Sequence, residues 1–240
     1  MQCPGTYGLE SSMDRWLVNI QVHDKSSVFI SVDEPLFREM RILLAGLLWL
    51  IDRHGSVVLH LTAARGGDGT TTISRALAAC AAQSKWCRVI LLDANHSMAC
   101  GANGADLPNI PLPGMVDVFA ETGEIAIRRL DLGSAKLGVG RLNSTGPFMP
   151  KMEAVRALYE RLRQDFTLVI VDAPPVLQAP DMATIASLAT GTMLVVASEE
   201  TRYAAVQRSR VILDQLGANI LGVILNKRQR RLLSALDRLS

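Results

Sequence analysis

The chain has 240 residues, of which 49% are hydrophobic and 20% charged, with four cysteines and a formal net charge of +2. That length can bury a sizeable core, and near-balanced charge supplies no bulk attraction to nucleic acid, so any partner must be recognised locally. Cys3, Cys80, Cys87 and Cys100 form no Cys-x-x-Cys pair, which argues against a disulfide framework or a zinc site and for a reducing compartment.

Residues 1–32 mix Gly, Ser, Asp and scattered apolar residues without periodicity and read as an amino-terminal arm; a single folded domain is expected over 33–240. From Glu34 to Asp52 the sequence predicts a helix. Pro35 stands in its first turn, while Phe37, Met40, Leu44, Leu47 and Leu48 are spaced for one apolar face and Arg38 and Arg41 share another. The longest apolar run, Ile42 to Ile51, is too short to cross a bilayer that needs ~20 residues, so no transmembrane anchor is expected. His54-Gly55-Ser56 ends the helix.

Val57 to Leu61 then runs as a strand through Thr62 into Ala63-Ala64-Arg65-Gly66-Gly67-Asp68-Gly69, followed by Thr70, Thr71, Thr72 and an Ala/Leu-rich helix. Glycines in such a strand-loop-helix let successive N–H groups turn towards an anion at the helix N-terminus, where the macrodipole also favours negative charge. Thr71 sits where a phosphate-binding loop places its magnesium ligand. That pattern ends Gly-Lys-Ser/Thr, however, and here Thr70 replaces the lysine. Thr70 can be read as a residue whose hydroxyl caps a free N–H at the helix start or as a neutral replacement that weakens a phosphate site; neither restores the charge. Arg65 could bring a guanidinium near the γ-phosphate, though not at lysine's position.

Cys87 to Asp93 reads as a buried parallel strand ending in an acid. A Gly/Pro-rich section, 94–150, follows, with short elements expected at Val116 to Phe119 and Ile125 to Leu130 and a strand at Lys136 to Arg141. The remainder alternates: helix Pro150 to Gln164, strand Phe166 to Asp172, helix Asp181 to Thr190, strand Met193 to Ala197, helix Thr201 to Leu216, strand Ile220 to Asn226, helix Gln229 to Leu239. This alternation predicts an α/β fold, a mainly parallel sheet with helices on both faces. Ligands of such sheets sit at the strand carboxyl ends, where Arg65 to Thr72, Asp93, Asp172 and Asn226 all fall. Asp93 and Asp172 are acids ending buried strands, which is costly unless a partner, an ion or neighbouring backbone amides compensate them.

Together these residues resemble the bacterial tyrosine kinases that partner polysaccharide co-polymerases and, more distantly, the Min and Par group of deviant phosphate-loop ATPases. The resemblance spans roughly Asp33 to Lys227 and implies a P-loop NTPase-like domain. Asp33 to Arg41 is similar to the family's Glu-x-x-Arg-x-x-Arg assembly helix, with Arg38 and Arg41 kept and Glu34 displaced by one. Arg65-Gly66-Gly67-Asp68-Gly69-Thr70-Thr71-Thr72 resembles the Lys-Gly-Gly-x-Gly-Lys-Thr-Thr loop with both lysines replaced. Val89 to Asn95 resembles an Asp-x-Asp motif reduced to Asp93 and Asn95; Leu168 to Asp181 is similar to the Asp-x-Pro-Pro motif with a later Asp. Leu221 to Lys227 looks like the closing strand whose asparagine, here Asn226, reads adenine.

The resemblance implies nucleotide binding by Arg65, Gly66, Gly67, Asp68, Gly69, Thr70, Thr71, Thr72 and Asn226. It implies Mg²⁺ on Thr71, Asp93 and Asp172, catalysis by Asp93 and Asp172 if the chain is active, and an oligomer interface at Arg38 and Arg41. The missing lysines and Asn95 imply a degenerate member in which ATP and Mg²⁺ binding is weak or absent. It would act as a cytoplasmic regulatory or assembly subunit in exopolysaccharide, capsule or adhesin export. Its partners would be further copies of itself and an inner-membrane co-polymerase, which would hold it peripherally at the membrane, and no nucleic acid. Two other readings stay open: an active ATPase or protein tyrosine kinase of the same pathway, and a Min-like ATPase at a membrane surface. Family kinases carry a tyrosine-rich tail, whereas the last tyrosine here is Tyr203. Arg228, Arg230 and Arg231 with Leu232, Leu233, Leu236 and Leu239 fit either a membrane-surface helix or a last helix covering the sheet.

Overall fold

Strand β1 (Val57–Ala63) is buried along its whole length, and the rest of the sheet is laid out to either side of it. The computed structural model describes residues 34–84, 86–95, 128–132, 135–141 and 152–227. The arm, His96, Cys3, Cys100, the element expected at 116–119 and the helix expected at 229–239 lie outside the described residues.

In chain order the elements are α1 (Glu34–His54), β1, α2 (Thr70–Ala82), β2 (Val89–Asp93), β3 (Arg128–Leu132), β4 (Ala135–Arg141), α3 (Met152–Asp165) and β5 (Leu168–Asp172). They are followed by the short α4 (Pro180–Ala183), a 3-10 turn (Thr184–Leu188), β6 (Gly191–Ala197), α5 (Tyr203–Gln215) and β7 (Ile220–Asn226). The seven strands form one sheet in the order β3-β4-β2-β5-β1-β6-β7. Every pairing is parallel except β3 with β4, so the fold is the mainly parallel α/β architecture expected, with one antiparallel edge hairpin.

Two layers bury the sheet. On one face Met40, Leu44, Leu47 and Ile51 of α1 and Ile73 and Leu77 of α2 pack over Val57, Leu59, Leu61, Leu91 and Ile170. On the other, Val155, Leu158, Tyr159 and Leu162 of α3 cover Val58, Ile90, Leu92, Val169 and Val171, and Leu213 of α5 meets Leu194 and Val196. Both faces of β1 are thus buried, and the two polar residues it carries, His60 and Thr62, are buried with the rest.

Two expectations need correction. Leu48 is 41% exposed, and Ile51 takes its place in the core; positions 40, 44, 47 and 51 recur every three or four residues and form the stripe, from whose centre 48 is rotated by about 70°. The expected helix Asp181 to Thr190 is α-helical only through Ala183 and then tightens to a 3-10 turn. There the Thr184 hydroxyl donates to the Asp181 carbonyl and the Ser187 hydroxyl to the Thr184 carbonyl, local bonds that compete with a regular helix.

Among the described residues no helix is long and apolar enough to cross a membrane. Cys80 and Cys87 are free and buried, and burial pushes the Cys87 thiol up to about 12.

Candidate functional site

The glycine loop bridges the end of β1 and the start of α2. Gly67 and Gly69 have φ of +89° and +96°, left-handed conformations that side chains with a Cβ adopt only at a cost. Gly69 is the residue preceding the helix, and no side chain caps it. The capping role considered for Thr70 is therefore not realised: Thr70 is already the first helical residue, and it is buried. A Cβ at position 69 would collide with the Asn226 amide nitrogen.

Asp68 holds the loop in shape. Only 3% exposed, its carboxylate accepts the Arg65 backbone N–H at 3.2 Å and the Thr201 hydroxyl at 2.5 Å. Its carbonyl accepts the Asn226 side-chain amide at 2.9 Å. The Gln178 side chain lies against Gly66, where an added Cβ would come within 3.1 Å of its nitrogen. Thr201 and Gln178 were not singled out in the sequence: they enter from the β6–α5 and β5–α4 connections, and Gln178, although inside the Leu168 to Asp181 stretch, is not one of the residues that define its motif. Arg65 itself is exposed.

Beside the loop stand the two acids. Asp93 and Asp172 end neighbouring parallel strands and are direct register partners. Asp172 is 2% exposed. Burial, opposed by the Thr71 hydroxyl, reinforced by the Asp93 charge and then opposed by Arg75 and Ser74, pushes its carboxyl up to about 7. The Ser74 hydroxyl donates to Asp172 at 3.4 Å. Asp93 accepts the Asn95 backbone N–H at 2.9 Å, an Asx-type turn that fixes its carboxylate.

Arg75 was also missed. Half-buried on α2, its guanidinium is held below its ordinary pKa by desolvation, while the charges of Asp172 and then Asp93 oppose that shift. A signal for it did exist: Thr71, Ser74 and Arg75 are spaced i, i+3, i+4 and share one helix face. Arg38 and Arg41 lie on the exposed side of α1, and Arg41 is close enough to Cys80 for its charge to act on that thiol.

The structure therefore brings Thr71, Asp93 and Asp172 to one end of the sheet, with the glycine loop and Asn226 beside them. A hydroxyl and two carboxylates are the hard oxygen donors that Mg²⁺ takes, so these residues fit the metal in kind.

No protein-family model matches the chain. Tyrosine-protein kinase CpsD of Streptococcus agalactiae is 26% identical over 172 residues, covering 71% of this chain and 75% of CpsD. Tyrosine-protein kinase Etk of Escherichia coli K12 is 29% identical over 216 residues, covering 87% of this chain but 29% of Etk. The solved kinase domain of Etk superposes with a TM-score of 0.69 at 25% identity, covering 91% of this chain and 87% of that domain. Over most of its length the chain is similar to these bacterial tyrosine kinases. The fold extends further: cobyrinic acid a,c-diamide synthase from Mycobacterium smegmatis, solved with ADP and magnesium, aligns with a TM-score of 0.52 at 20% identity over 71% of this chain and 74% of the synthase. Within a tyrosine-kinase fold, the glycine loop here keeps the left-handed glycines and lacks the lysine.

Proposed function

We propose that this chain is a degenerate member of the bacterial tyrosine kinases and acts as a regulatory or assembly subunit in exopolysaccharide, capsule or adhesin polymerisation and export. The observation that carries this is Thr70. The loop presents a buried neutral side chain where phosphoryl transfer needs a preorganised cation, and its one arginine, Arg65, is exposed. Phosphoryl transfer depends almost wholly on positioning and charge neutralisation, and removing one preorganised donor commonly lowers the rate by ~10²–10³. Arg65 to Thr72 and Asn226 would still cradle a nucleotide weakly. Mg²⁺, when bound to Thr71 and Asp93 with Asp172 behind them, would neutralise phosphate charge. Thr70→Lys should raise ATP turnover by about that factor, read as phosphate release; wild-type turnover already matching that of CpsD or Etk overturns the degenerate reading.

The second reading, an active ATPase or protein tyrosine kinase, is favoured by Asp93 and Asp172 standing in register at the strand ends. The same assay separates the two.

Assembly would use α1. Arg38 and Arg41 are exposed beside each other on a helix whose opposite stripe is docked, and arginine suits bidentate carboxylate contacts across an interface. Those carboxylates would come from a second copy or from the cytoplasmic part of an inner-membrane co-polymerase, placing the chain at the membrane through its partner. Reversing both charges, Arg38→Glu with Arg41→Glu, should lower the assembled mass in light scattering while thermal unfolding stays cooperative. Unchanged mass and unchanged co-purification with the co-polymerase would remove the interface from this account.

A further inference from the structure

We propose that the outward face of α1 pairs with the same face of a second copy, the two helices running antiparallel about a two-fold axis beside Ala45. The pairing rests on the reading of α1 as an assembly face, and it gives that face a geometry and a carboxylate of its own, Asp52. Met40, Leu44, Leu47 and Ile51 occupy the inner side of the helix. A second apolar stripe runs along the opposite side. Ile42 and Trp49 are 64% and 63% exposed, and with the exposed Ala45 and Gly46 between them they recur at i, i+3, i+4 and i+7, the spacing of one helix face. Single apolar residues are normal on a soluble surface, whereas a contiguous stripe marks a place where something docks.

Gly46 shows that the occupant comes close. It stands in mid-helix, where glycine is destabilising relative to alanine, and no described residue lies within 4 Å of a Cβ built there. Nothing in its own surroundings therefore requires the missing side chain, while small residues at the middle of a helix face let a second helix axis approach. The charges on the same face identify that second helix. An isologous contact needs a surface that carries its own complement, so that residue i meets j while j meets i. Arg38, Ala45 and Asp52 are successive heptad positions, exposed and within about 20° of one another around the helix for each step. With Ala45 at the axis, an antiparallel copy sets residues equally far before and after it against each other: Arg38 against Asp52, Arg41 against Trp49, and Ile42 against Leu48. Each of these pairs occurs twice. Arginine is suited to the carboxylate and to the indole, and Trp49 already receives its own Arg53 guanidinium, 5.5 Å from the ring centroid, leaving the other ring face for Arg41 of the second copy.

Sedimentation of the full chain over a range of concentrations tests the pairing. Arg38→Asp alone and Asp52→Arg alone each turn two attractions into repulsions and should weaken self-association about tenfold or more; the two exchanges together should restore it. Gly46→Leu puts a side chain where its own chain leaves room, so association should be lost with a melting temperature no lower than that of wild type. Ala45→Cys should yield, under mild oxidation, a dimer whose link is mapped by mass spectrometry to the two introduced thiols, because only a two-fold contact brings a residue onto itself. Failure of the double exchange to restore association, or no such link in a sample that associates, overturns the two-fold pairing; the broader assembly face then survives if Arg38→Glu with Arg41→Glu still lowers the mass. A chain that stays monomeric at every concentration also overturns it, including one that sediments with anionic vesicles, which would give the stripe to a lipid surface. In that case co-purification with the co-polymerase alone decides the broader reading.

Discussion

The glycine loop and the acid pair lie at the same end of the sheet and handle charge in opposite ways. The loop is held by Asp68, whose carboxylate is satisfied by an N–H and a hydroxyl and whose carbonyl is satisfied by Asn226. All of those donors are neutral. The acid pair, by contrast, concentrates two carboxylates and a guanidinium around α2. In the usual phosphate-binding arrangement, a loop lysine and a metal share the positive charge around the phosphates. Here the geometry of the loop and its charge have come apart, which shows that the left-handed glycines and their supports can persist without the cation they normally serve.

The largest test of that contrast is the pH dependence of stability, because the acid pair is the part that titrates. Asp172 has a carboxyl raised to about 7 from 3.8, so the folded state binds a proton that the unfolded state has released. Stability is then greatest below pH 4 and falls as pH rises to about 7, by about 4 kcal/mol if the shift is fully expressed. A second buried group works the other way. His60, on β1, is fully buried with neither ring nitrogen hydrogen-bonded, and burial lowers its pKa from 6.5 to about 4. Below pH 6.5 the unfolded state takes up a proton that the folded state refuses. Stability therefore falls as pH drops towards 4, by about 3 kcal/mol.

Between pH 4 and 6.5 the two slopes oppose each other, and wild-type urea midpoints should be nearly flat across that window. Asp172→Asn, which keeps the size and one carbonyl oxygen, should expose the His60 slope, with stability rising from pH 4 to 6.5 and holding at pH 8. His60→Leu should expose the opposite slope. A flat profile in both variants would mean that neither burial perturbs its group as the structure implies.

Much of this was legible beforehand, for identifiable reasons. Continuous apolar runs announce parallel strands, so β1 and β5, buried on both faces, and the edge strand β7, whose Val223 and Leu225 are exposed, are found within two residues of where the sequence placed them. The acids are visible because a carboxylate ending such a run is conspicuous. The antiparallel hairpin of β3 and β4 was only half seen, since Arg128–Leu132 carries two arginines and an aspartate and little β-branched content. Asp68's role was hidden for another reason. A loop position between glycines reads as variable, and nothing local reveals that Thr201, 133 residues away, donates to it. Arg75 was passed over because helix arginines are ordinarily solvated, although its spacing from Thr71 and Ser74 places it on the same face of the helix.

A smaller effect should distinguish loop geometry from backbone strain alone, and it uses two glycines with similar dihedral angles. Gly69 has φ of +96° and Gly55 has φ of +73°, so alanine at either position carries the left-handed penalty of about 1–2 kcal/mol. Their surroundings differ. Nothing lies within 4 Å of a Cβ built on Gly55, whereas one built on Gly69 runs into the Asn226 amide, whose nitrogen holds the Asp68 carbonyl. Gly55→Ala should therefore lose only the strain term. Gly69→Ala should lose that and the displaced hydrogen bond as well, roughly 1 kcal/mol more, and should loosen the segment from Arg65 to Gly69. Amide exchange of Asp68 and Ile73, the latter bonded to the Gly69 carbonyl at 3.0 Å, reports that loosening separately from global unfolding. Equal losses in the two variants, with unchanged exchange in the loop, would mean that Asn226 gives way freely. In that case the neutral amide would not be what keeps a lysine-free loop in its phosphate-binding shape.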